Sequence, residues 1–255
     1  MSAVITIANQ KGGVSKTTTA RHLAYFLEQK DQRVLVIDND HQGNLTQYFG
    51  YDPIEVDATT GSMFHVYIEG RAIRDVIIGT NGRVKVAPAA LSLAEAGARL
   101  ALEVDSNGAL KYALQDVIDE FDVVLIDCGP NLERLLINAL MASQYVLIPS
   151  KTDALSSSGI PALAQTVAKV RRQNPTLQVL GVLPTIYHRG RNADDQALAN
   201  LQEQAAAAGI RVFDPIPAAT NYDKAAAESR PVFELFPTTP GRREYEDLAN
   251  VICAL

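Results

Sequence analysis

Short apolar runs rich in β-branched residues recur along the chain and predict the strands of a sheet. The runs lie at residues 3–8, 33–38, 84–88, 122–127, 145–149, 179–184 and 212–216. Between them, apolar positions spaced for one helix face predict helices. These helices cover residues 16–30, 92–103, 108–120, 132–143, 156–173, 193–208 and 241–253. The alternation predicts a doubly wound α/β fold, with a mostly parallel sheet and helices on both of its faces.

The ends of the predicted strands carry the residues that are candidates for chemistry. In a doubly wound sheet, ligands bind at the carboxyl ends of the strands. Lys11, Asp38 and Asp127 come at or just past the ends of three predicted strands. We therefore expect these residues, although far apart in sequence, to converge on one edge of the sheet.

Composition limits the class of protein. With 255 residues, 47% of them hydrophobic, the chain can form a large core, and we predict one domain over residues 1–255. The net charge of −6 is not that of a nucleic-acid binder, so any DNA contact needs a local basic patch.

Two cysteines, Cys128 and Cys253, give no disulfide framework. No apolar run approaches the roughly 20 residues of a membrane span, and no signal peptide precedes the first strand, so we expect a cytoplasmic protein.

Residues 9–18, Asn-Gln-Lys-Gly-Gly-Val-Ser-Lys-Thr-Thr, lie between the first predicted strand and the first predicted helix. A glycine-containing loop that ends in Lys-Thr at this place is typical of phosphate binding by backbone N–H groups and a helix N-terminus. The usual spacing G-x-x-x-x-G-K-[ST] is not met, because Gln10 and Ser15 take the two glycine positions. Instead, a second lysine, Lys11, stands at the start of the loop.

Three aspartates follow apolar runs. Asp38 and Asp40 are separated by one residue, so alternation along a strand places them on the same face. Asp127 ends the run at residues 123–126. Carboxylates placed in this way hold the water shell of Mg²⁺ and orient an attacking water, although capping of a turn or helix is the alternative role for Asp38 and Asp40.

Several segments resemble, in order and separation, the ParA/MinD family of deviant Walker A ATPases. They are the loop with its two lysines, Val34–Asn44, Asp122–Pro130, Ile137–Leu140, Gly181–Thr185 and Pro215–Pro217. The resemblance covers nearly the whole chain and is nearest to short ParA proteins that partition plasmids or chromosomes. It implies a P-loop NTPase of deviant Walker A type that uses ATP and Mg²⁺ and forms a homodimer around ATP.

The resemblance also implies roles for individual residues. Lys16 is expected to bridge the β- and γ-phosphates and Asp40 to activate water, while Thr17, Asp38 and Asp127 serve the metal. Lys11 is expected to reach the nucleotide of the partner subunit, with a solvated loop lysine as the alternative. The nucleotide-binding residues of the loop are Lys11, Gly12, Gly13, Val14, Ser15, Lys16, Thr17 and Thr18. The chain departs from the family at Ser15, where glycine is usual, and at His41 and Gly129, where proline is common.

Two later segments resemble the loops that hold adenine and ribose. The residues implied are Pro184, Thr185, Ile216, Pro217 and Ala218. Apolar walls combined with backbone groups suit a purine. Because no feature of these segments separates ATP from GTP, the expectation of ATP follows from the resemblance.

DNA binding without sequence preference is implied by the resemblance, with Arg189, Arg191, Lys224 and Arg230 as candidate contacts. The arginines common in the family after the Ile-Pro pair are missing here, since residues 218–223 contain no lysine or arginine. The expected partners are a second copy of the chain, DNA, and a ParB-like or cargo-adaptor protein that stimulates hydrolysis, with nucleoid association in the ATP state.

The same ATPase residues also occur in superfamily members with other functions, which are alternatives to partition. A positioner of a protein cargo over the nucleoid has the same ATPase residues, and a nucleotide-switched scaffold without DNA binding is a further alternative. A MinD-like membrane ATPase would need a basic amphipathic C-terminal helix, whereas residues 244–255 are acidic. An iron–sulfur reductase would need a second well-placed cysteine beside Cys128.

Overall fold

The computed structural model describes residues 2–79, 82–103, 106–130, 134–153 and 159–255, without the side chains of 159–162. The described residues form a seven-stranded sheet. Its strands are Ala3–Ile7 (β1), Val34–Asn39 (β2), Ile78–Gly79 (β3), Val84–Ala87 (β4), Val123–Cys128 (β5), Tyr145–Lys151 (β6) and Gln178–Thr185 (β7). The order is β3-β4-β2-β5-β1-β6-β7, and every neighbouring pair is parallel except β3 with β4.

Helices connect and cover the strands. They are Lys16–Glu28 (α1), Asn44–Tyr48 (α2), Pro53–Thr59 (α3), Met63–Glu69 (α4), Leu93–Leu102 (α5), Ala109–Leu114 (α6), Arg134–Ala142 (α7), Gly159–Val170 (α8), Asn192–Ala207 (α9), Asn221–Ala227 (α10), Val232–Leu235 (α11) and Arg242–Cys253 (α12). None of the helices in the described ranges is long and apolar enough to cross a bilayer.

The sheet separates two hydrophobic cores, because successive side chains of a strand point to opposite faces. In β2, Val34 and Val36 belong to the core shared with α1 and α12. Leu35 and Ile37 belong to the core shared with α4 to α9. All four side chains are fully buried. This arrangement confirms the predicted doubly wound α/β fold with helices on both faces.

The predicted strand at residues 212–216 was wrong. The segment makes only isolated bridges, from Val212 to Val182 and from Pro217 to Tyr187. Pro215 and Pro217 have no N–H to donate, so a continuous ladder cannot form there. The segment instead runs beside β7 as an irregular chain, with Ile216 N donating to Pro184 O.

The predicted helices are present. The helix expected at 193–208 keeps its length as Asn192–Ala207, and the others start later or end earlier than expected. The helix expected at 108–120 ends at Leu114, and a 3₁₀ turn follows at Ile118–Glu120. For the helices expected at 132–143 and 156–173, residues 132–133 and 156–158 lie outside the described residues. The short helices α2 to α4, α10 and α11 were not predicted, because helices of four to seven residues carry too little apolar periodicity.

Candidate functional site

The parallel register brings the candidate residues to one edge of the sheet. Asp38 in β2 lies directly opposite Asp127 in β5. Asp127 also lies opposite Ile7, the last residue of β1. The loop of residues 9–18 leaves β1 at this edge, so it starts beside the two aspartates, as the sequence predicts.

Neighbouring strands hold the loop in place. Asn9, which is buried, donates from Nδ2 to the carbonyl oxygen of Pro149 in β6 at 2.7 Å and accepts from the backbone N–H of Lys11 at 3.1 Å. At the other end, Thr185 Oγ1 at the end of β7 donates to Val14 O at 3.2 Å. Asn9 and Thr185 therefore fix the loop before any ligand arrives.

The loop has the backbone that a phosphate cradle requires. A Cβ atom on Gly12 or Gly13 would meet no atom within 4 Å, so both glycines border open space. Gly13 has φ of +69°, where only glycine is free of steric penalty. Ser15 adopts φ 63° and ψ 32° at the N-cap of α1, and its side chain makes no capping hydrogen bond. This conformation explains why glycine is usual at that position.

A buried lysine and a buried carboxylate face each other beneath the loop. Lys16 Nζ donates to Lys11 O at 3.0 Å. Burial lowers the pKa of Lys16, and the charge of Asp127 opposes that change. Burial raises the pKa of Asp127 well above its usual range, and the neighbouring Asp38 adds to the rise. The hydroxyl of Thr17 lies close enough to favour the charged form of Asp127.

The carboxylate of Asp127 is buried beside the loop without hydrogen-bond partners of normal geometry in the described part of the chain. Its side chain is 1% exposed, and neither carboxylate oxygen accepts a hydrogen bond of normal geometry within the described residues. A buried carboxylate with both oxygens unsatisfied is costly unless a cation or bound water pairs with it. Asp127 and the Thr17 hydroxyl are therefore suited to the water shell of Mg²⁺.

Asp38 is already engaged by protein groups. Its Oδ2 accepts from Thr46 N and Thr46 Oγ1, both at 2.8 Å, and its Oδ1 accepts from Asp40 N at 3.2 Å. Burial raises the pKa of Asp38 to about 6, although these hydrogen bonds oppose the rise. Asp38 thus ties the end of β2 to α2, a contact that the sequence did not reveal.

Asp40 stands where the chain leaves β2. Its Oδ1 accepts from Gln42 N at 3.1 Å and lies 3.5 Å from His41 Nδ1. A Cβ atom on Gly129 would come within 3.1 Å of the Asp40 carboxylate. The absence of a side chain at Gly129 therefore lets its backbone approach Asp40 closely.

Two adjoining cavities open at this edge. The phosphate cavity, of about 620 Å³, is lined by residues 12–18 together with Asp40, Gln42, Asn44, Gln47, Tyr48, Pro130, Ile186, Asp223 and Ala226. The side cavity, of about 460 Å³, is lined by Ser15, Thr18, Ile186, His188, Ile216, Pro217, Ala218, Ala219, Thr220, Tyr222, Asp223 and Tyr245. Four residues line both cavities: Ser15, Thr18, Ile186 and Asp223.

The side cavity contains only some of the residues expected to hold the base and ribose. Ile216, Pro217 and Ala218 line it. Pro184 and Thr185 lie inside β7 and do not. Ile186 and His188, which follow β7, line it as well, and no motif in the sequence pointed to either residue. Ile186 has φ of 54°, a strained conformation for a β-branched residue and of the kind that clusters at functional sites.

No group of three or more His, Cys, Asp or Glu side chains in the described residues forms a metal site by itself. A metal ion at this edge would therefore take most of its ligands from water, the Thr17 hydroxyl and phosphate. Mg²⁺ typically binds in this way, because it keeps several waters and is shared with substrate phosphates.

The four candidate DNA contacts differ in their surroundings. Arg191 pairs with Asp194, with 3.6 Å between Nε and Oδ1. Arg230 pairs with Glu234 at 2.5 Å. Arg189 and Lys224 are exposed and form no ion pair with the residues that the structure describes.

Comparison with known proteins finds matches over most of the chain. A family described as an AAA domain matches residues 2–179. The chain is 34% identical to the chromosome-partitioning ATPase Soj of Thermus thermophilus, over 98% of this chain and 95% of that protein. It is 32% identical to the sporulation initiation inhibitor protein Soj of Bacillus subtilis, over 100% of this chain and 99% of that protein.

A solved structure adds the ligands of a relative. Cobyrinic acid a,c-diamide synthase from Mycobacterium smegmatis, with bound ATP analogue and magnesium, is 30% identical with a TM-score of 0.84. The match covers 98% of this chain and 93% of that one. Fold, loop and relatives agree, and the chain belongs to the ParA/MinD family of P-loop ATPases.

Proposed function

We propose that this protein is a Mg²⁺-dependent ATPase that works as a dimeric switch of the ParA type. The observation that carries the proposal is the buried pair beneath the phosphate loop. Within the described residues, Lys16 has no anionic partner at hydrogen-bond distance, and neither carboxylate oxygen of Asp127 has a hydrogen-bond partner of normal geometry. A nucleotide triphosphate with its metal ion satisfies both groups at once, as in the relative that binds an ATP analogue and magnesium.

Each residue of the site then has a defined task. Lys16 binds the β- and γ-phosphates, and Thr18 donates its hydroxyl to an α-side oxygen. Thr17, through its hydroxyl oxygen, and Asp127, through the water shell, would hold Mg²⁺. When bound, Mg²⁺ neutralises charge on the phosphates. Asp38, held by Thr46, supports the metal side, and Asp40 orients the attacking water.

Lys11 has a separate task in a dimer. Its side chain does not line the phosphate cavity of its own subunit, while its carbonyl group accepts from Lys16. We propose that the Lys11 ammonium reaches the nucleotide of the partner subunit and stabilises charge on the transferred phosphoryl group, as an arginine finger does. Hydrolysis is slow until a partner protein resets the switch.

The dimer is proposed to bind DNA without sequence preference and to partition plasmids or chromosomes. Arg189 and Lys224 are the candidates that remain free of ion pairs within the described residues. A ParB-like or cargo-adaptor protein would stimulate hydrolysis and release the dimer from the nucleoid in the cytoplasm. No membrane takes part in this cycle.

DNA binding by the purified protein tests this proposal. Unrelated duplexes are titrated without nucleotide, with ADP, and with ATP and Mg²⁺, over a series of salt concentrations. We expect binding only with ATP and Mg²⁺, falling steeply with salt and equal for all duplexes. The Lys16→Ala variant is the control that cannot bind the nucleotide.

A second candidate function is a nucleotide-switched scaffold or cargo positioner without direct DNA binding. The net charge of −6 and the ion pairs of Arg191 and Arg230 favour it. A protein that dimerises with ATP but does not bind DNA even at low salt would establish this second function and reject the first.

A further inference from the structure

The side cavity is the part of the site that a nucleobase would enter. The phosphate cavity contains the loop of residues 12–18, and the side cavity adjoins it through Ser15, Thr18, Ile186 and Asp223. A nucleotide whose phosphates lie on the loop would therefore place its ribose near these shared residues and its base beyond them. The apolar wall of Ile216, Pro217 and Ala218 suits the faces of a purine.

Among the residues that line only the side cavity, His188 brings a polar ring to this wall. Tyr222 is not free to do so, since its hydroxyl donates to Pro240 O at 2.8 Å. Tyr245 is fully buried. The side chain of His188 is about half exposed, at 49%, so its ring is accessible to a ligand.

The orientation of His188 is fixed by Asp194 at the start of α9. Asp194 Oδ2 lies 3.0 Å from His188 Nδ1 and accepts from His188 N at 2.9 Å. Asp194 is buried, with 7% of its side chain exposed. Burial opposes its ionisation, but the hydrogen bonds from His188 and the nearby charge of Arg191 together outweigh burial, so its pKa is lowered. Asp194 is therefore a carboxylate.

The pairing decides which nitrogen of the ring carries the proton. A carboxylate can only accept hydrogen bonds, so Nδ1 of His188 must donate. In the neutral ring, Nε2 is then an acceptor. Nε2 has no hydrogen-bond partner in the parts of the chain that the structure describes.

An acceptor at this point distinguishes the two common purines. Adenine carries an amino group at position 6, which donates, whereas guanine carries an oxygen there, which accepts. We propose that His188, positioned by Asp194, selects adenine by accepting a hydrogen bond from the 6-amino group, and so disfavours 6-oxo purines. The inference rests on the proposed nucleotide-binding function and adds its specificity residue.

Binding of three nucleotides to three proteins tests the proposal. ATP, GTP and inosine triphosphate, which has oxygen at position 6 but no 2-amino group, are titrated with Mg²⁺ into wild type, His188→Leu and His188→Gln. The wild type should prefer ATP over inosine triphosphate by about fivefold to tenfold, the value of one hydrogen bond. His188→Leu should lose this preference, and His188→Gln should keep part of it through its amide oxygen.

Controls separate the failure of this inference from that of the proposed function. Inorganic tripolyphosphate should bind equally to all variants, and Gln196→Leu, on the exposed face of α9, should keep the wild-type preference. A wild type that binds neither ATP nor tripolyphosphate would reject the nucleotide-binding function itself. ATP binding by the wild type with an unchanged ATP-to-inosine preference in His188→Leu would reject only the role of His188.

Nitrogen NMR of the labelled histidine rings tests the positioning role of Asp194. In the nucleotide-free protein, we expect the proton on Nδ1 of His188, and a weaker preference for that tautomer in Asp194→Asn. A proton found on Nε2 in the wild type would overturn the assignment, because Nε2 could then not accept from adenine. A purely structural role of Asp194 would not change the tautomer.

Discussion

At the scale of single residues, one position in the phosphate loop adopts a backbone conformation that its residue type disfavours. Ser15 holds a left-handed conformation, φ 63°, at a position where glycine is usual. The left-handed conformation costs an L-residue about 1 to 2 kcal/mol. The fold tolerates this strain because Ser15 O accepts from Thr19 N and starts α1.

Replacing Ser15 by glycine should stabilise the protein. Relief of the strain exceeds the added chain entropy of glycine, about 0.5 to 1 kcal/mol, so the free energy of unfolding should rise by roughly 0.5 to 1 kcal/mol. Urea denaturation measures the change. Ser15→Ala removes the hydroxyl but keeps the strain and should give no gain; equal stabilisation by both variants would assign the effect to the hydroxyl.

His22 makes stability depend on pH. Nδ1 donates to Thr18 O at 2.6 Å and Nε2 accepts from Val232 N at 3.1 Å, so the buried ring is neutral. Burial lowers its pKa from 6.5 to about 3. Between these values the unfolded state binds the proton and the folded state does not. Stability from His22 is therefore complete above pH 6.5 and declines as the pH falls, by about 1.4 kcal/mol per pH unit.

Urea denaturation between pH 7 and 4 checks this dependence by comparing wild type with His22→Gln. The variant should be less stable at pH 7 but should show a shallower decline towards pH 4. Parallel curves for wild type and His22→Gln would mean that other groups cause the acid sensitivity.

Asp40 is expected to act in hydrolysis and not in binding. Asp40→Ala should bind ATP with Mg²⁺ almost as the wild type does but lose about 100-fold or more of the hydrolysis rate, the usual effect of removing a group that activates water. ATP should then hold the protein as a dimer in light scattering. Asp40→Asn keeps the shape of the side chain and should behave alike. A variant that stays monomeric with ATP would contradict this role.

At the scale of elements, buried polar side chains join the strands to the helices around the site. Asn39 at the end of β2 donates to Leu135 O in α7 at 3.0 Å and accepts from Tyr67 in α4 at 3.0 Å. Thr46 in α2 donates to Asp38 and accepts from Ala89 N. These bonds hold α2, α4, α7 and Ala89 to the end of β2, directly beside Asp40.

Removing one hydroxyl from this network should weaken it measurably. Tyr67→Phe leaves Asn39 Oδ1 buried and unpaired, and we expect a loss of about 1 to 3 kcal/mol in the free energy of unfolding. Tyr112→Phe removes a hydroxyl from an exposed side chain and should change stability little. Equal effects of the two substitutions in urea denaturation would show that the hydrogen bond to Asn39 does not matter.

At the scale of the whole molecule, the proposed cycle depends on two subunits sharing their sites. Lys11→Ala should bind ATP with near wild-type affinity but dimerise poorly, because the charge offered to the partner nucleotide is lost. Light scattering with ATP and Mg²⁺ measures the dimer. Lys111→Ala, which removes an exposed lysine from α6, should dimerise normally, and normal dimerisation of Lys11→Ala would reduce Lys11 to a solvated lysine.

The sequence predicted those parts of the fold that depend on local pattern. Strands buried on both faces are marked by continuous apolar runs, so β1, β2, β5, β6 and β7 were found within a few residues. The strand predicted at 212–216 is absent, because the apolar residues of this segment pack on the sheet while its prolines prevent backbone pairing with β7. Short helices such as α2 were missed because they are held by single contacts, such as Thr46 with Asp38.

The sequence by itself determined the phosphate loop, the three aspartates and the edge at which they meet, because each depends on residues that are neighbours in the chain or on the direction of parallel strands. Only the tertiary structure decided that the Asp38 carboxylate accepts hydrogen bonds from Thr46, whereas the Asp127 carboxylate has no such partner of normal geometry within the described residues. The reason is that burial and hydrogen-bond partners come from segments distant in the chain. The tertiary structure also decided that Ile186 and His188 line the side cavity, whereas Pro184 and Thr185 do not. The packing of the whole chain decides which residues after a strand face a cavity, and a local sequence pattern does not predict this.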